Sequence, residues 1–173
     1  LAAQKVNIHT FHGFCNNIIQ SNSEHFGLRQ MELINDLERV DLMQELLSHL
    51  PAKHPMHRVG ISTFYDLRPL NNFFAEMKKE NWTSAEIKAA VSFYLEDLPN
   101  REQYIYKRKS GQNNAGDVKQ KEIDAETERM NRTLAAADLY DSYNKKMLEL
   151  GRYDYADMIL WVIEAFKKNE FLL

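Results

Sequence analysis

The sequence predicts an all-α protein, an irregular multi-helix bundle with an orphan strand-like segment at its N-terminal end. Apolar residues recur at helical spacing through most of the 173 residues. Six glycines and four prolines are few for this length, which disfavours a sandwich or a barrel with many turns. A hydrophobic share of 44% with a charged share of 27% is typical of a folded domain that can bury a core of its own.

The apolar stripes have recognisable helix starts and stops. They cover residues 11–19, 37–50, 64–77, 87–98, 130–150 and 158–166. Thr83 and Glu86 have the spacing of a capping box, and either Asn35 or Asp36 could cap the second helix. Gly151 is a plausible stop for the fifth stripe.

Three segments interrupt the helical pattern. Residues 51–60 contain two prolines and predict a loop, and the small polar residues 110–116 predict a mobile segment. Residues 5–10, KVNIHT, are strand-like, but one strand cannot form a sheet. The segment is therefore either disordered or part of a sheet outside this chain. Because the chain begins with Leu1, we expect it to be a piece of a longer protein.

Charge and cysteine content indicate which partners and which cellular compartment suit the protein. The net charge of −3 and the pI near 6.1 exclude a globally basic nucleic-acid binder, so any phosphate contact must come from a local cluster. The single cysteine, Cys15, excludes an internal disulfide and fits a reducing compartment. No apolar run approaches the ~20 residues of a membrane span. We expect a cytoplasmic monomer that has no membrane partner.

No catalytic, cofactor or metal site is predicted. The motifs GxxxxGK[ST], GxGxxG and GxSxG are absent from the sequence. His12 lies three residues before Cys15, as in a thiolate–imidazole pair, but the apolar stripe around Cys15 favours packing. His54 and His57 lack a third metal ligand nearby.

Two pairs of acids share a helix face at a spacing of three residues. Asp138 with Asp141, and Asp154 with Asp157, could each hold a metal ion or a proton. On an exposed helix, such pairs usually form only a solvated face.

One local cluster has the chemistry of a nucleic-acid contact. It consists of Tyr104, Tyr106, Lys107, Arg108 and Lys109. Interleaved aromatic rings and positive charges suit phosphates and stacked bases. The alternative is a solvated run of charges.

Two segments resemble motifs of the UvrD/Rep-type superfamily 1 DNA helicases. Residues 8–15, IHTFHGFC, resemble the strand-to-helix TFHSF motif, with Gly13 in place of the usual serine. Residues 33–36, LIND, resemble the Ile-x-Asp element that follows in that family. Residues 139–143 and 153–159 resemble the segment Y..Y...L......DFDDL, with Tyr155 in place of phenylalanine and Ala156 in place of an acid.

The resemblance implies the helical accessory subdomain 1B, which is inserted in the first RecA-like motor domain. Residues 1–10 would be the trailing strand of the motor domain, residues 11–168 the accessory subdomain, and residues 169–173 the start of the return to the motor. Such a parent hydrolyses ATP to translocate on single-stranded DNA and to separate duplex. ATP and Mg would belong to the parent, and no cofactor to this piece.

The resemblance also assigns roles to residues near both ends. Thr10, Phe11 and His12 would lie where the motor meets the strand, with a hydroxyl and an imidazole that donate to phosphate and a ring that stacks. The favoured version keeps Phe11 and Phe14 in the core and leaves Thr10 or His12 to reach DNA. Asp154, Tyr155 and Asp157 would have structural roles at a helix start, and Asp154 could cap it.

The expected partners are single-stranded DNA, single-strand/duplex junctions and the rest of the helicase motor. Lys107, Arg108 and Lys109 would contact backbone phosphates without base specificity. Binding by the isolated chain should be weak because its net charge is negative. The alternative is a helical protein-interaction module of a helicase–nuclease or DNA repair complex, which an exposed apolar patch would favour.

Overall fold

Helices dominate residues 8–26, 31–57 and 64–169, which are the residues that the computed structural model describes. This confirms the predicted, mostly all-α fold class. The helices are α1 (Phe11–Ser21), α2 (Ser23–Phe26), α3 (Asp36–Ser48), α4 (Phe64–Lys79), α5 (Ser84–Asp97), α6 (Gln120–Glu149) and α7 (Tyr155–Lys168), with short 3-10 turns at Leu98–Asn100 and Glu102–Tyr104. Ile8, His9 and Thr10 precede α1 without joining a strand, and residues 5–7 of the predicted strand lie outside the described residues.

The main core lies where α3 and α4 pack on the C-terminal half of α6. The Phe74 ring of α4 lies 5.4 Å from the Tyr140 ring and 5.1 Å from the Tyr143 ring of α6. The buried members of this core include Leu42, Met43, Leu47, Leu70, Met77, Leu139 and Met147. The stripe predicted for α3 was shifted, because Leu37 is 71% exposed whereas Leu42 and Met43 are buried.

A two-stranded parallel sheet joins distant parts of the chain. Strand β1 (Glu32–Leu33) pairs with β2 (Arg152–Tyr153). The Ile34 amide extends the pairing by donating to the Tyr153 carbonyl over 2.8 Å. The sequence did not indicate these strands, since two residues are too few to show alternation. The sheet fixes the start of α3 beside the turn between α6 and α7.

Helices α1 and α7 form a second apolar cluster. Its buried residues are Cys15, Ile19, Met158 and Val162. The predicted packing of Cys15 is confirmed, and burial raises the pKa of its thiol.

The expectation that Phe11 and Phe14 belong to the core was wrong, because their side chains are 85% and 43% exposed. Phe14 is turned by about 100° from the buried Cys15 around α1. Phe11 lies at the free end of that helix, one turn before the first buried position.

Side-chain caps start four of the helices. Thr83 with Glu86 forms the predicted capping box of α5, and Asp154 caps α7 as expected. Asn35, and not Asp36, caps α3, with Glu38 completing the box. The fourth cap is Thr10, whose Oγ1 accepts a hydrogen bond from the Gly13 amide over 3.1 Å at the start of α1.

The C-terminal end of α6 follows the prediction as well. Gly151 lies two residues after the last residue of α6. Its φ of 64° falls in the left-handed region that glycine adopts readily. Gly151 is therefore the stop that the sequence predicts.

A buried ion cluster connects α4 to the start of α7. Lys78 is 3% exposed, and its Nζ lies 2.9 Å from Asp154 Oδ2 and 2.8 Å from the Asp157 carboxylate. The side chains of Asp154 and Asp157 are 17% and 18% exposed. This pair is therefore not a solvated face. It encloses a lysine and forms the capping box of α7, which agrees with the structural role at a helix start that the resemblance implied.

The charges in this cluster are mutually dependent. Burial opposes ionisation of all three groups. The two carboxylates nevertheless raise the pKa of Lys78 above its ordinary value, and Lys78 holds the pKa of Asp154 below its ordinary value. Burial, together with the neighbouring Asp154 charge, raises the pKa of Asp157.

Replacing Lys78 should destabilise the protein strongly. Lys78→Met removes the cation and leaves two buried carboxylates uncompensated, so the free energy of unfolding should fall by about 3–5 kcal/mol. Urea denaturation at neutral pH measures the change. Lys79→Met is the matched control, because Lys79 is 66% exposed and should change stability by less than about 0.5 kcal/mol.

The pH dependence provides an independent check. Because the pKa of Lys78 is raised above 10.5 in the folded state, its contribution is fully present below pH 10.5 and is lost as the pH rises through the folded pKa. The difference in the free energy of unfolding between wild type and Lys78→Met should therefore become smaller in strongly alkaline solution. Equal stability of the Lys78 and Lys79 variants at neutral pH would show that the cluster does not stabilise the fold.

Candidate nucleic-acid interface

Four of the five residues of the predicted aromatic and basic cluster lie on a hairpin before α6, here called the basic hairpin (residues 105–118), and Tyr104 comes directly before it. Ile105 and Val118 pair in antiparallel fashion. The Tyr106 amide donates to the Asp117 carbonyl over 2.9 Å, and the Gly116 amide donates to the Tyr106 carbonyl over 2.8 Å. These bonds define the two arms of the hairpin.

The tip of the hairpin is the segment predicted to be mobile. In the structure it is a hydrogen-bonded turn, because Ser110 and Asn113 exchange backbone hydrogen bonds of 2.9 and 3.1 Å. Gly111 and Gly116 have φ values of 61° and 95°, which residues other than glycine rarely adopt. Glycine at these two positions therefore permits the tight turn.

Tyr104 anchors the hairpin and does not present a ring to solvent. It is only 8% exposed and packs with Leu98 and Ile123. The expectation that Tyr104 stacks on a base is thus corrected, because its ring is covered by the protein. The burial of Tyr104 could not be inferred from its position three residues before Lys107, because the 3-10 turn directs its side chain towards the protein interior.

A polar network around Tyr94 of α5 adds to this anchor. The Tyr94 hydroxyl donates to Glu126 Oε1 of α6 over 2.8 Å, and the Arg101 guanidinium lies 4.3 Å from the centre of the Tyr94 ring. Hydrogen bonds with Tyr104 and Glu126, together with burial, raise the pKa of Tyr94 to about 12. The base of the hairpin is therefore held to both α5 and α6.

Three consecutive exposed residues of the hairpin are cations, and Asp117 is an exposed acid on its other arm. Lys107, Arg108 and Lys109 are exposed, and Tyr106 is partly exposed. Lys107 lies 3.5 Å from Glu102 in a solvent-exposed pair, which contributes little. Arg108 and Lys109 form no ion pair with any described residue. These side chains are thus available to an external anion.

Lys119 is a further cation that the sequence analysis missed. Its Nζ lies 5.9 Å from the centre of the Tyr106 ring. The two residues are thirteen positions apart in the sequence. Their contact could have been predicted only if the strand pairing of the hairpin had been known.

The second predicted set lies at the start of α1. Thr10, Phe11 and His12 are all exposed. The Thr10 oxygen accepts the capping bond, so its hydroxyl proton is still free to donate. The His12 ring meets the Tyr155 ring edge-on at 5.0 Å, and both line a cavity of about 470 Å³ beside α7. His12 therefore contacts Tyr155 and does not pair with the Cys15 thiol.

The two predicted sets lie near opposite ends of α6. The basic hairpin leads directly into the first turn of α6, whereas α1 and α7 are joined through Lys78 to the region of Tyr143. The 23 residues between Gln120 and Tyr143 span about 35 Å of helix. The structure therefore does not bring the two sets together.

No group of three or more metal-ligating side chains is present in the described part of the chain. His54 Nδ1 instead accepts a hydrogen bond from the Met56 amide over 3.2 Å. The full sequence also lacks the glycine-rich phosphate loop. Within the described ranges, no helix is long and apolar enough to cross a membrane.

Comparison with known proteins identifies the family. The family model for the UvrD/REP helicase N-terminal domain matches residues 1–173. Neither a curated protein nor a solved structure gives a significant match. The chain belongs to the UvrD/REP helicase family, as its motifs indicated, and therefore has a helicase-related role.

Removing the Tyr94 hydroxyl should change the alkaline behaviour of the protein. Because the folded pKa is about 12 and the ordinary value is 10.0, the stabilisation is fully present below pH 10 and is lost as the pH rises from 10 to about 12. Tyr94→Phe should therefore lose stability less steeply than wild type in this interval, as measured by urea denaturation at several pH values.

An absorbance titration of tyrosinate provides the control. The late-ionising component should be smaller by one tyrosine in Tyr94→Phe than in the wild type, because burial also raises the pKa of Tyr140 and of Tyr143 in both proteins. If both proteins titrate alike, the Tyr94 network does not fasten the hairpin as described.

Proposed function

We propose that the chain is the DNA-handling accessory subdomain, of the 1B type, of an ATP-dependent DNA helicase. In this proposal the basic hairpin contacts the phosphates of single-stranded DNA or of a single-strand/duplex junction. The observation that carries the proposal is the exposed run Lys107, Arg108 and Lys109 on a hairpin whose base is buried. Two of these three cations lack any ion partner among the described residues.

The geometry favours phosphate contact without base specificity. Arg108 offers a fork of donors, and the two lysines offer mobile point charges. The backbone hydrogen bonds of the hairpin restrict its conformation before binding, so less conformational entropy is lost on contact with DNA. Tyr106, partly exposed beside Lys119, is the ring that could stack on a base.

The remaining machinery would lie elsewhere in the parent protein. ATP and Mg would bind outside this chain, so no step of ATP hydrolysis is assigned to its residues. Binding of DNA by the isolated chain would be weak because the net charge is −3 and the contacts of the motor are missing. We also propose a monomer that acts in the cytoplasm, because the lone thiol of Cys15 suits a reducing compartment.

Neutralising the hairpin should weaken DNA binding and its dependence on salt. For the triple variant Lys107→Ala, Arg108→Ala and Lys109→Ala, the log–log slope of affinity against salt should fall by about 2 to 3, because up to three phosphate contacts are lost. Fluorescence anisotropy with a short single-strand/duplex junction at several salt concentrations measures both quantities.

The control removes an equal charge from another part of the surface. Lys53→Ala, Lys145→Ala and Lys167→Ala replace three exposed lysines outside the hairpin. This variant should retain most of the slope. If the two triple variants behave alike, the hairpin is only a solvated surface.

Exposed apolar side chains favour a protein contact as a second candidate function. Ile8 and Phe11 are 90% and 85% exposed, and Tyr155, which touches His12, is 53% exposed. We propose that this end of α1 and α7 contacts the rest of the helicase motor or a repair partner. The expected stacking of Phe11 on DNA is the competing interpretation of the same exposure.

Phe11→Ser separates these two interpretations. If Phe11 serves a protein contact, the isolated variant should bind the junction as tightly as wild type. If the ring stacks on a base, affinity should fall by about 1–3 kcal/mol. The same anisotropy assay decides between them, with Phe93→Ser as the control, because Phe93 is a 73% exposed ring on α5.

A further inference from the structure

The tip of the basic hairpin carries a serine that the proposed DNA contact does not use. Ser110 directly follows Lys107, Arg108 and Lys109, and its side chain is exposed. Its backbone amide and carbonyl are occupied by the two hydrogen bonds with Asn113. The Ser110 hydroxyl, in contrast, has no hydrogen bond with a described residue, so it is open to a modifying enzyme.

The segment before Ser110 can be bound by another protein through its backbone as well as its side chains. The amides and carbonyls of Lys107, Arg108 and Lys109 form no backbone hydrogen bond with a described residue. Among the described residues, only the two bonds between Ser110 and Asn113 would have to break for this segment to become extended up to the serine. Exposed loop tips of this kind are the places where enzymes gain access to a folded chain.

The charges before Ser110 suit a protein kinase with an acidic substrate cleft. Lys107 and Arg108 lie three and two positions before the serine, where such a kinase holds cations on its carboxylates, and opposite charges fix the register of the complex. Arg108 and Lys109 have no ion partner among the described residues, so the kinase has no ion pair of theirs to displace. Transfer forms a bond from Ser110 Oγ to the γ-phosphorus of ATP. The bond from that phosphorus to ADP breaks, and the hydroxyl proton passes to a carboxylate of the kinase.

A phosphate at this position would cancel the charge on which the DNA contact depends. Residues 105–118 contain three cations and one acid, Asp117, so the hairpin has a net charge of +2. Phosphoserine adds a charge of about −1.5 to −2 at neutral pH, which leaves the hairpin nearly neutral. Its oxygens also accept hydrogen bonds from cations, and the neighbouring Arg108 and Lys109 are the two that lack an ion partner.

We propose that Ser110 is a phosphorylation site and that a phosphate there releases the basic hairpin from DNA. The modifying enzyme is a serine kinase that selects basic residues before its target, with ATP as the phosphoryl donor. The inference rests on the proposed function, because it concerns the regulation of the same site.

Phosphorylation of the full chain in solution tests the first part of the proposal. The chain is incubated with ATP, Mg and the catalytic subunit of cyclic-AMP-dependent protein kinase, and the modified residue is located by mass spectrometry. Ser110 should be phosphorylated in the wild type. It should stay largely unmodified in the triple alanine variant of the hairpin, which keeps the serine but lacks the cations.

Ser92 is the matched internal control. It is exposed on α5, but it follows Ala90 and Val91 instead of cations, so it should stay unmodified. An unmodified Ser110 in the wild type would overturn the proposal. Equal modification of Ser110 in the wild type and in the triple alanine variant would overturn it too, because recognition would then not depend on the cations.

The effect on DNA is measured by fluorescence anisotropy with the single-strand/duplex junction. The log–log slope of affinity against salt should fall by about 1 to 2 in the phosphorylated chain, because the added charge offsets up to two phosphate contacts. Removal of the phosphate by a phosphatase should restore the slope. Ser110→Ala should keep the wild-type slope after the same incubation, because it cannot accept the phosphate.

The hairpin proposal and the phosphorylation proposal fail in different ways. If the unmodified triple alanine variant binds DNA like the wild type, the hairpin does not contact DNA and the proposed function fails. If the triple variant loses salt dependence but the chain phosphorylated at Ser110 does not, the proposed function stands and the regulatory role of Ser110 is overturned.

Discussion

The contact on which the arrangement of helices depends is the buried cluster of Lys78 with Asp154 and Asp157. It joins residues 76 and 79 positions apart and connects α4 to the cap of α7. Desolvation offsets much of the attraction in such clusters, so their net contribution to stability is smaller than their geometry implies. Such clusters nevertheless restrict geometry, because Lys78 can keep both carboxylates at 2.8–2.9 Å only if α4 and the start of α7 stay in one relative position. The cluster therefore fixes where α7 begins, and α1 is placed through its apolar contact with α7.

Helix α6 then separates the two surfaces that are proposed to contact DNA or protein. One end receives the α1–α7 unit, and the other end carries the basic hairpin. The segment of α6 between Gln120 and Tyr143 is about 35 Å long, which equals about ten base pairs of duplex at 3.4 Å per pair. A helix of this length keeps that distance because its backbone hydrogen bonds lie within the segment. The hairpin also keeps its direction, since Tyr104 and the Tyr94 network fasten its base to α5 and α6.

The sequence was informative where local chemistry decides the structure. Thr83 with Glu86, Asp154 and Gly151 specify helix ends within a few residues, so they could be recognised without the fold. Lys78 could not, because nothing in the pair Lys78–Lys79 shows which lysine faces the acids contributed from α7. Tyr104 was misassigned for a similar reason, as its burial depends on Leu98 and Ile123. Pairing of β1 with β2 requires residues about 120 positions apart, which no local pattern encodes.

Local charge, and not net charge, decides whether the hairpin can attract DNA. At physiological ionic strength, exposed charges are screened over about 8 Å. The acids near α7 lie several such lengths from Lys107, Arg108 and Lys109, so they barely reduce the potential at the hairpin. The nearby Glu102 does matter, because it lies 3.5 Å from Lys107. Asp117 is a second acid, exposed on the other arm of the hairpin. Arg108 and Lys109 have no ion partner among the described residues, so the hairpin keeps two cations for an external phosphate although the net charge is −3.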